Sequence, residues 1–158
     1  MTKRLILLMC VFAFSLLFAA NRIAAQTRSA VGASEVNGTF RFYFTGKAKG
    51  SYDEIKILAL GKGKLRVAFD LTYPHIDGTG EMSANMGSAD GEAEIDGDTA
   101  IYQSSEFGEC KITIKFVKPG QIKVTQSGND SDCGFGFNVS ADGTYKKVSG
   151  AKPGFDTQ

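Results

Sequence analysis

Few side chains in this sequence have a type and spacing suited to catalysis. The chain has one histidine, His75, and Asp77 follows it two residues later, so this pair is a candidate acid and base. No nucleophile motif accompanies the pair, and no second histidine is present to complete a relay or a zinc site. A loop histidine without a catalytic role is the simpler interpretation, and we expect the protein not to be an enzyme.

Metal and cofactor sites have equally little support. The oxygen-rich runs at 129–132 and 90–98 lack the spacing of a calcium-binding loop and are typical of turns. No glycine-rich loop joins a strand to the start of a helix, so we predict no phosphate or nucleotide site. We therefore expect no metal and no cofactor.

Acidic side chains are the best candidates for a binding surface. Residues 67–110 contain ten Asp or Glu and no Lys or Arg. One interpretation is a solvated face that pairs with basic neighbours, and the other is a patch that steers a cationic partner. The second interpretation predicts a binding site formed by part of this acidic set. Its residues are Asp77, Asp90, Glu92, Glu94, Asp96 and Asp98.

The charge balance also argues against one class of partner. From Gln26 onward the chain has more acidic than basic residues, and it lacks a basic stripe interleaved with aromatic residues. Such a composition is not that of a nucleic-acid-binding domain.

Aromatic residues suggest a different binding function. The chain has 12 Phe, 5 Tyr and no Trp, and several lie at alternate positions of predicted strands. They are suited either to a packed core or to the wall of a cavity that carries a small apolar ligand. Small barrels are usually filled by side chains, which favours the packed core.

The N-terminus predicts export. A basic start at Met1–Arg4 precedes an apolar run at Leu5–Ala20 and a small, polar stretch that ends at Gln26. This is typical of a secretory signal peptide over residues 1–25, and retention of the segment as an anchor is the alternative. We expect a secreted or periplasmic protein with no membrane span after cleavage.

The two cysteines beyond that segment, Cys110 and Cys133, are too far apart for a C-x-x-C motif. In an oxidising compartment they predict one structural disulfide. The remaining chain divides into a flexible leader at 26–37, an all-β domain at 38–149 and a disordered tail at 150–158.

Alternating apolar residues predict short strands joined by tight turns. Ile57 and Ala59 continue the odd-numbered face of Leu65 and Val67. To bury both strands on one face, Ala59 must lie opposite Leu65, with a loop at Gly61–Gly63.

Three segments after this hairpin are harder to interpret. Pro74 predicts that the strand breaks over Tyr73–Gly78, because proline lacks the N–H that a ladder needs. Residues 79–89 are either an edge strand or a lid. A further hairpin is predicted around Asp96-Gly97.

The stretch from Cys110 to Tyr145 predicts two more hairpins. A two-residue turn at Pro119-Gly120 would place Phe116 opposite Lys123, so an odd loop or a β-bulge is expected there. The last hairpin is predicted to pair Phe137 and Val139 with Tyr145 across a loop at Ala141–Gly143.

These elements predict an all-β domain with one disulfide and eight to ten short strands. A single antiparallel β-barrel is favoured because consecutive hairpins close the sheet and remove exposed edges, and a two-sheet β-sandwich is the alternative.

Four stretches carry a family resemblance: EIKILALGKGKLRVAFDLTYP, GEAEIDGDTAIY, CKITIKF and CGFGFNVSADGTY. With them the chain resembles a group of uncharacterised bacterial secreted proteins, which implies export. More distantly, the domain is similar to periplasmic lysozyme inhibitors, β-barrels that bind a cationic enzyme. That similarity implies a cationic protein such as lysozyme as the partner. The S-G-x-x-Y loop of those inhibitors is not matched, since Ser127-Gly128-Asn129-Asp130 lacks the tyrosine.

Overall fold

The computed structural model describes residues 30–155. The predicted signal peptide at 1–25, the first residues of the predicted leader and the last three of the predicted tail lie outside this range. No helix among the described residues is long and apolar enough to cross a membrane.

Eight antiparallel strands form a closed barrel, in which each strand pairs with the next in sequence and the last pairs with the first. The strands are β1 (Gly38–Tyr43), β2 (Tyr52–Gly61), β3 (Lys64–Ile76), β4 (Met82–Asp96), β5 (Thr99–Ser104), β6 (Cys110–Lys118), β7 (Gln121–Ser127) and β8 (Gly143–Ser149). One helical turn, α1 (Ala33–Val36), precedes the barrel, and 3-10 turns lie at Gly46–Ala48 and Ser131–Cys133. The predicted all-β barrel is confirmed.

The barrel interior is built from one face of each strand. Alternate residues point inward, and large side chains such as Ile55, Leu71 and Tyr145 are fully buried. Phe40 and Phe116 meet with ring centroids 6.5 Å apart in an edge-to-face contact. Side chains therefore fill the interior at this level.

Two register predictions are confirmed. Ala59 lies opposite Leu65 as predicted, but the predicted three-residue loop at Gly61–Gly63 is one residue too long: a bulge lets Gly61 face Lys64, so the turn is Lys62-Gly63. On the other side of the barrel, a bulge between Phe116 and Lys118 keeps the apolar residues of β6 and β7 on one face.

The predicted break at Pro74 is wrong. β3 continues through Pro74, which faces Ala84 of β4, so residues 79–89 belong largely to a paired strand. The N–H of Thr72 points away from β4 towards β2, and Pro74, two residues later, has its nitrogen on that same side. Because β2 pairs with β3 only as far as Asp70, this edge is free and proline costs no ladder hydrogen bond. We call the extension formed by residues 72–86 the arm.

The hairpin predicted around Asp96 is present, but its turn lies one residue later. Asp96 pairs with Thr99, which leaves Gly97-Asp98 as the turn. Gly97 has a φ of 59°, the left-handed region that glycine adopts without strain.

The last predicted hairpin is wrong. Residues 134–142 form no strand, Phe137 is 75% exposed, and Tyr145 pairs with Ile122 of β7. Polar side chains hold the segment as a loop instead: Asp130 accepts hydrogen bonds from the N–H groups of Ser131 and Asn138. Such carboxylate-to-backbone bonds compete directly with strand pairing.

Described residues on both sides of the barrel strands contact the barrel. Within the expected leader, α1 packs on the barrel and buries Val36. Lys147 donates from Nζ to three backbone carbonyls around this turn. In the expected tail, the ring of Phe155 lies 5.7 Å from the guanidinium of Arg66.

Candidate binding cleft

Four of the six predicted site residues share one face of β4. Asp90, Glu92, Glu94 and Asp96 occupy even positions and point outward from the barrel. Asp90 forms an ion pair with Arg66. Glu92 accepts a 2.7 Å bond from Nζ of Lys64, which lowers the pKa of Glu92. Basic residues of β3 therefore neutralise part of residues 67–110, which we call the acidic segment.

Asp77 and Asp98 lie far from each other. Asp77 sits in the turn at the tip of the arm, where its Oδ1 accepts bonds from Thr79 and Glu81 that lower its pKa. Asp98 lies in the turn at the other end of β4, 9% exposed, and accepts a bond from the Thr99 hydroxyl. At about 3.3 Å per residue, the length of β4 separates the two ends by roughly 45 Å. The six residues therefore do not form one patch.

A cleft opens where β4 leaves β5. The two strands pair only over Ala93–Asp96, so within residues 30–155 the preceding part of β4 has no strand beside it on that side. Farther along, the N–H of Gly136 donates to the carbonyl oxygen of Met86, so the 134–142 loop covers the edge there. The resulting cleft has a volume of about 540 Å³. Of the predicted acidic site residues, only Asp90 lines it.

Small residues on β4 shape the cleft. A Cβ on Gly87 would lie 2.8 Å from Phe135, and a Cβ on Gly91 would lie 3.0 Å from the ring of Tyr102, so both rings pack directly on the strand backbone. Ala89 lies between these two contacts and lines the cleft. The ring of Tyr102 also packs on Phe69, with centroids 5.4 Å apart.

The opposite wall comes from the β5–β6 loop and the 3-10 turn at Ser131–Cys133. The disulfide between Cys110, the first residue of β6, and Cys133 joins the end of this loop to the 3-10 turn, and Cys133 lines the cleft. Phe107 packs against Gly134, where a Cβ would lie 2.7 Å from its ring, yet the Phe107 side chain remains 66% exposed. The wall therefore presents an exposed aromatic ring held on a cross-linked support.

Carboxylates outnumber cations in the cleft lining. The charged lining residues are Glu54, Asp70, Asp90, Glu106 and Lys56. Glu54 pairs with Arg41 at 2.7 Å and approaches Lys56 at 4.0 Å, and Asp90 pairs with Arg66. Within residues 30–155, Asp70 and Glu106 form no ion pair.

The two unpaired carboxylates come from different walls. Asp70 lies on β3 directly opposite Glu54, a like-charge pair across two strands. Glu106 lies in the β5–β6 loop beside Phe107 and close to Tyr102. The pKa of Tyr102 is raised, mainly by burial and further by the negative charges of Asp90 and Glu106. The cleft therefore combines aromatic walls with uncompensated negative charge.

His75 does not contribute to this cleft. Its ring stacks on Tyr73 on the arm, and its Nδ1 lies 3.2 Å from the Tyr73 carbonyl oxygen. Asp77, its predicted companion, instead accepts bonds within its own turn. Across residues 30–155, no three His, Cys, Asp or Glu side chains are grouped closely enough to hold a metal ion.

Asp70 and Glu106 belong to the acidic run at 67–110 but were not among the predicted site residues, and Tyr102 and Phe107 were not predicted to lie in a site. One signal was available: small residues at 87, 89 and 91 on one face of a strand indicate the close approach of other groups. The sequence does not show that β4 separates from β5, because the separation depends on how many residues of the two strands pair.

Comparisons with protein-family models, with curated proteins and with solved structures gave no significant match.

Proposed function

We propose that this protein is a non-enzymatic binding protein whose cleft receives a cationic group of a partner protein, such as lysozyme. The observation that supports it best is the pair of unpaired carboxylates, Asp70 and Glu106, on two walls of an aromatic-lined cleft. Asp70 lies opposite a second carboxylate, Glu54, so an incoming cation would relieve the repulsion between their charges. This stabilisation is gained only when the partner binds.

The size of the cleft fits this role. A volume of about 540 Å³ falls in the range of small-molecule sites and holds one or two long side chains. Aromatic walls at Phe69 and Tyr102 suit the apolar stem of a long basic side chain, while the carboxylates suit its charged end.

The outer face of β4 supports recognition at longer range. Glu94 and Asp96 are exposed farther along the same face of β4 as Asp90, and no ion pair involves them among the described residues. Surface charges of this kind raise the association rate of an oppositely charged partner and are screened by salt. In this proposal the acidic segment steers the partner and the cleft holds it.

The protein acts outside the cytoplasm in this proposal. The disulfide between Cys110 and Cys133 supports an oxidising compartment. The similarity to periplasmic lysozyme inhibitors adds lysozyme as the first partner to test.

Titration calorimetry with egg-white lysozyme, at about 50 mM and about 300 mM salt, tests the proposal. We expect binding that weakens at least about ten-fold at the higher salt and that weakens further in the Asp70→Asn/Glu106→Gln variant. The matched control is Glu94→Gln/Asp96→Asn, which removes the same charge outside the cleft and should reduce the affinity clearly less. Equal losses of affinity in both variants would contradict a role for the cleft, and no binding at either salt would contradict the proposal.

A small apolar ligand is the second candidate, and the rings of Phe69, Tyr102 and Phe107 favour it. Because side chains fill the barrel where Phe40 meets Phe116, such a ligand would occupy the cleft rather than the lumen. Binding of an uncharged fluorescent probe that is insensitive to salt and to the two cleft carboxylates would select this function instead.

A further inference from the structure

We infer that the cationic group received by the cleft is an arginine side chain, held by Asp70 and Glu106 with its guanidinium plane against the ring of Phe107. This inference rests on the proposed function and names the chemistry of the group that is bound.

Two carboxylates that line the cleft, Glu54 and Asp90, already bind arginine in one manner. Arg41 donates from Nε to Glu54 at 2.7 Å, and its guanidinium lies 4.0 Å from the centroid of the Tyr52 ring. In the second case the guanidinium of Arg66 pairs with Asp90 and lies 5.7 Å from the centroid of the Phe155 ring. Each set contains a carboxylate, a guanidinium and an aromatic ring.

A third set in the cleft has two of these three parts. Glu106 and Asp70 supply carboxylates, and Phe107 next to Glu106 supplies a ring that is 66% exposed. Among the described residues, no Arg or Lys forms an ion pair with either carboxylate. The guanidinium is therefore the part that a partner must bring.

Rigid support makes this ring a suitable partner for a flat cation. The Phe107 ring rests on the Gly134 backbone, where only a glycine leaves it room, and the neighbouring disulfide holds that turn next to the β5–β6 loop. A ring already fixed in position loses little conformational freedom on binding.

Arginine matches this arrangement better than lysine does. The planar guanidinium has donors on two sides, so it can bond carboxylates on two walls while its face stacks on a ring. An ammonium group is compact and strongly hydrated, and it gains less from an aromatic face. The cleft should therefore discriminate between two ligands of equal charge.

The test compares hexa-arginine and hexa-lysine peptides, titrated into the full mature chain in the same buffer. We expect the arginine peptide to bind about ten-fold more tightly. Phe107→Ala should reduce this ratio to near one while salt-dependent binding of the lysine peptide persists. Phe137→Ala, which removes a ring that is 75% exposed outside the cleft, should leave the ratio unchanged.

The outcomes separate the inference from the proposed function. Equal affinities for the two peptides in the unmodified protein would overturn the arginine inference and leave a general cation-binding cleft. An arginine preference that survives Phe107→Ala would overturn the assigned role of the ring. Failure of both peptides and of lysozyme to bind would overturn the proposed function itself.

Discussion

The carboxylate of Asp53 accepts a 2.7 Å hydrogen bond from the backbone N–H of Thr72, where β3 leaves β2 and continues into the arm. Asp53 thus replaces the ladder partner that β2 no longer supplies. Asp53 is 3% exposed, and burial raises its pKa from 3.8 to about 6, although the bond from Thr72 opposes this shift. The barrel therefore holds a buried carboxyl group that releases its proton at a higher pH than an exposed aspartate does.

This burial predicts a pH dependence of stability. The folded state binds the Asp53 proton more tightly than the unfolded state, so this group lowers the free energy of unfolding as pH rises from about 4 to about 6. The loss reaches at most about 3 kcal/mol and is constant above that window. Asp53→Asn keeps an oxygen acceptor for Thr72 and should remove this contribution.

Urea unfolding of both proteins across this pH range measures the difference. Asp96→Asn, an exposed substitution, serves as the control and should leave the pH profile unchanged. A stability difference between Asp53→Asn and the unmodified protein that is independent of pH would contradict the raised pKa.

Lys147 should fix the N-terminal segment to the barrel. Its Nζ donates to the carbonyl groups of Ser34, Glu35 and Asn37 at 2.7–3.0 Å. Lys147→Met removes three donors and should lower the free energy of unfolding by about 1–3 kcal/mol. Hydrogen exchange of the Asn37 amide, which bonds to Ala33 in α1, should become faster. Lys146→Met on the outer face of β8 is the control, and equal exchange in both variants would contradict this role.

Strand pairing near tight turns was largely predictable from the sequence. The period-2 pattern predicted which face of β2 and β3 is buried. A plain two-residue turn after Pro119 would have buried the charge of Lys123, and this cost indicated a bulge. The prediction of a strand break at Pro74 was wrong because proline is excluded only where a backbone N–H must donate to the neighbouring strand. The sequence does not show which edge is free.

The cleft was less predictable than the barrel. It depends on β4 being much longer than β5, and on Asp130 holding a loop where alternating apolar residues predicted a strand. Both outcomes arise from tertiary contacts that local patterns do not contain. The position of Phe155 near Arg66 likewise depends on contacts distant in sequence.

Reduction of the disulfide should weaken the domain without unfolding it. Cys110 and Cys133 are 23 positions apart in the sequence, and closing such a loop contributes about 3 kcal/mol on the chain-entropy model. Urea unfolding with and without reductant should show a lower midpoint and a retained folded baseline. Complete unfolding in reductant alone, or an unchanged midpoint, would contradict this expectation.

Filling the cleft should weaken binding without loss of the fold. Ala89 lines the cleft between the rings packed on Gly87 and Gly91, so Ala89→Leu places a larger side chain where the partner's group is proposed to lie. We expect at least a ten-fold loss of lysozyme affinity at an unchanged circular dichroism spectrum. Ala84→Leu on the exposed face of the arm is the matched control. Full affinity in Ala89→Leu would exclude the cleft as the site.

Amide chemical shifts of the isotope-labelled protein, recorded with and without lysozyme, show directly whether the partner occupies the cleft. We predict that shift changes concentrate at cleft residues from both walls, namely Ser88, Ala89, Glu106 and Phe107, and leave the turn at Asp77–Glu81 unchanged. Shift changes confined to the arm or to the Gly97-Asp98 turn, with none at the cleft, would contradict binding of the partner in the cleft.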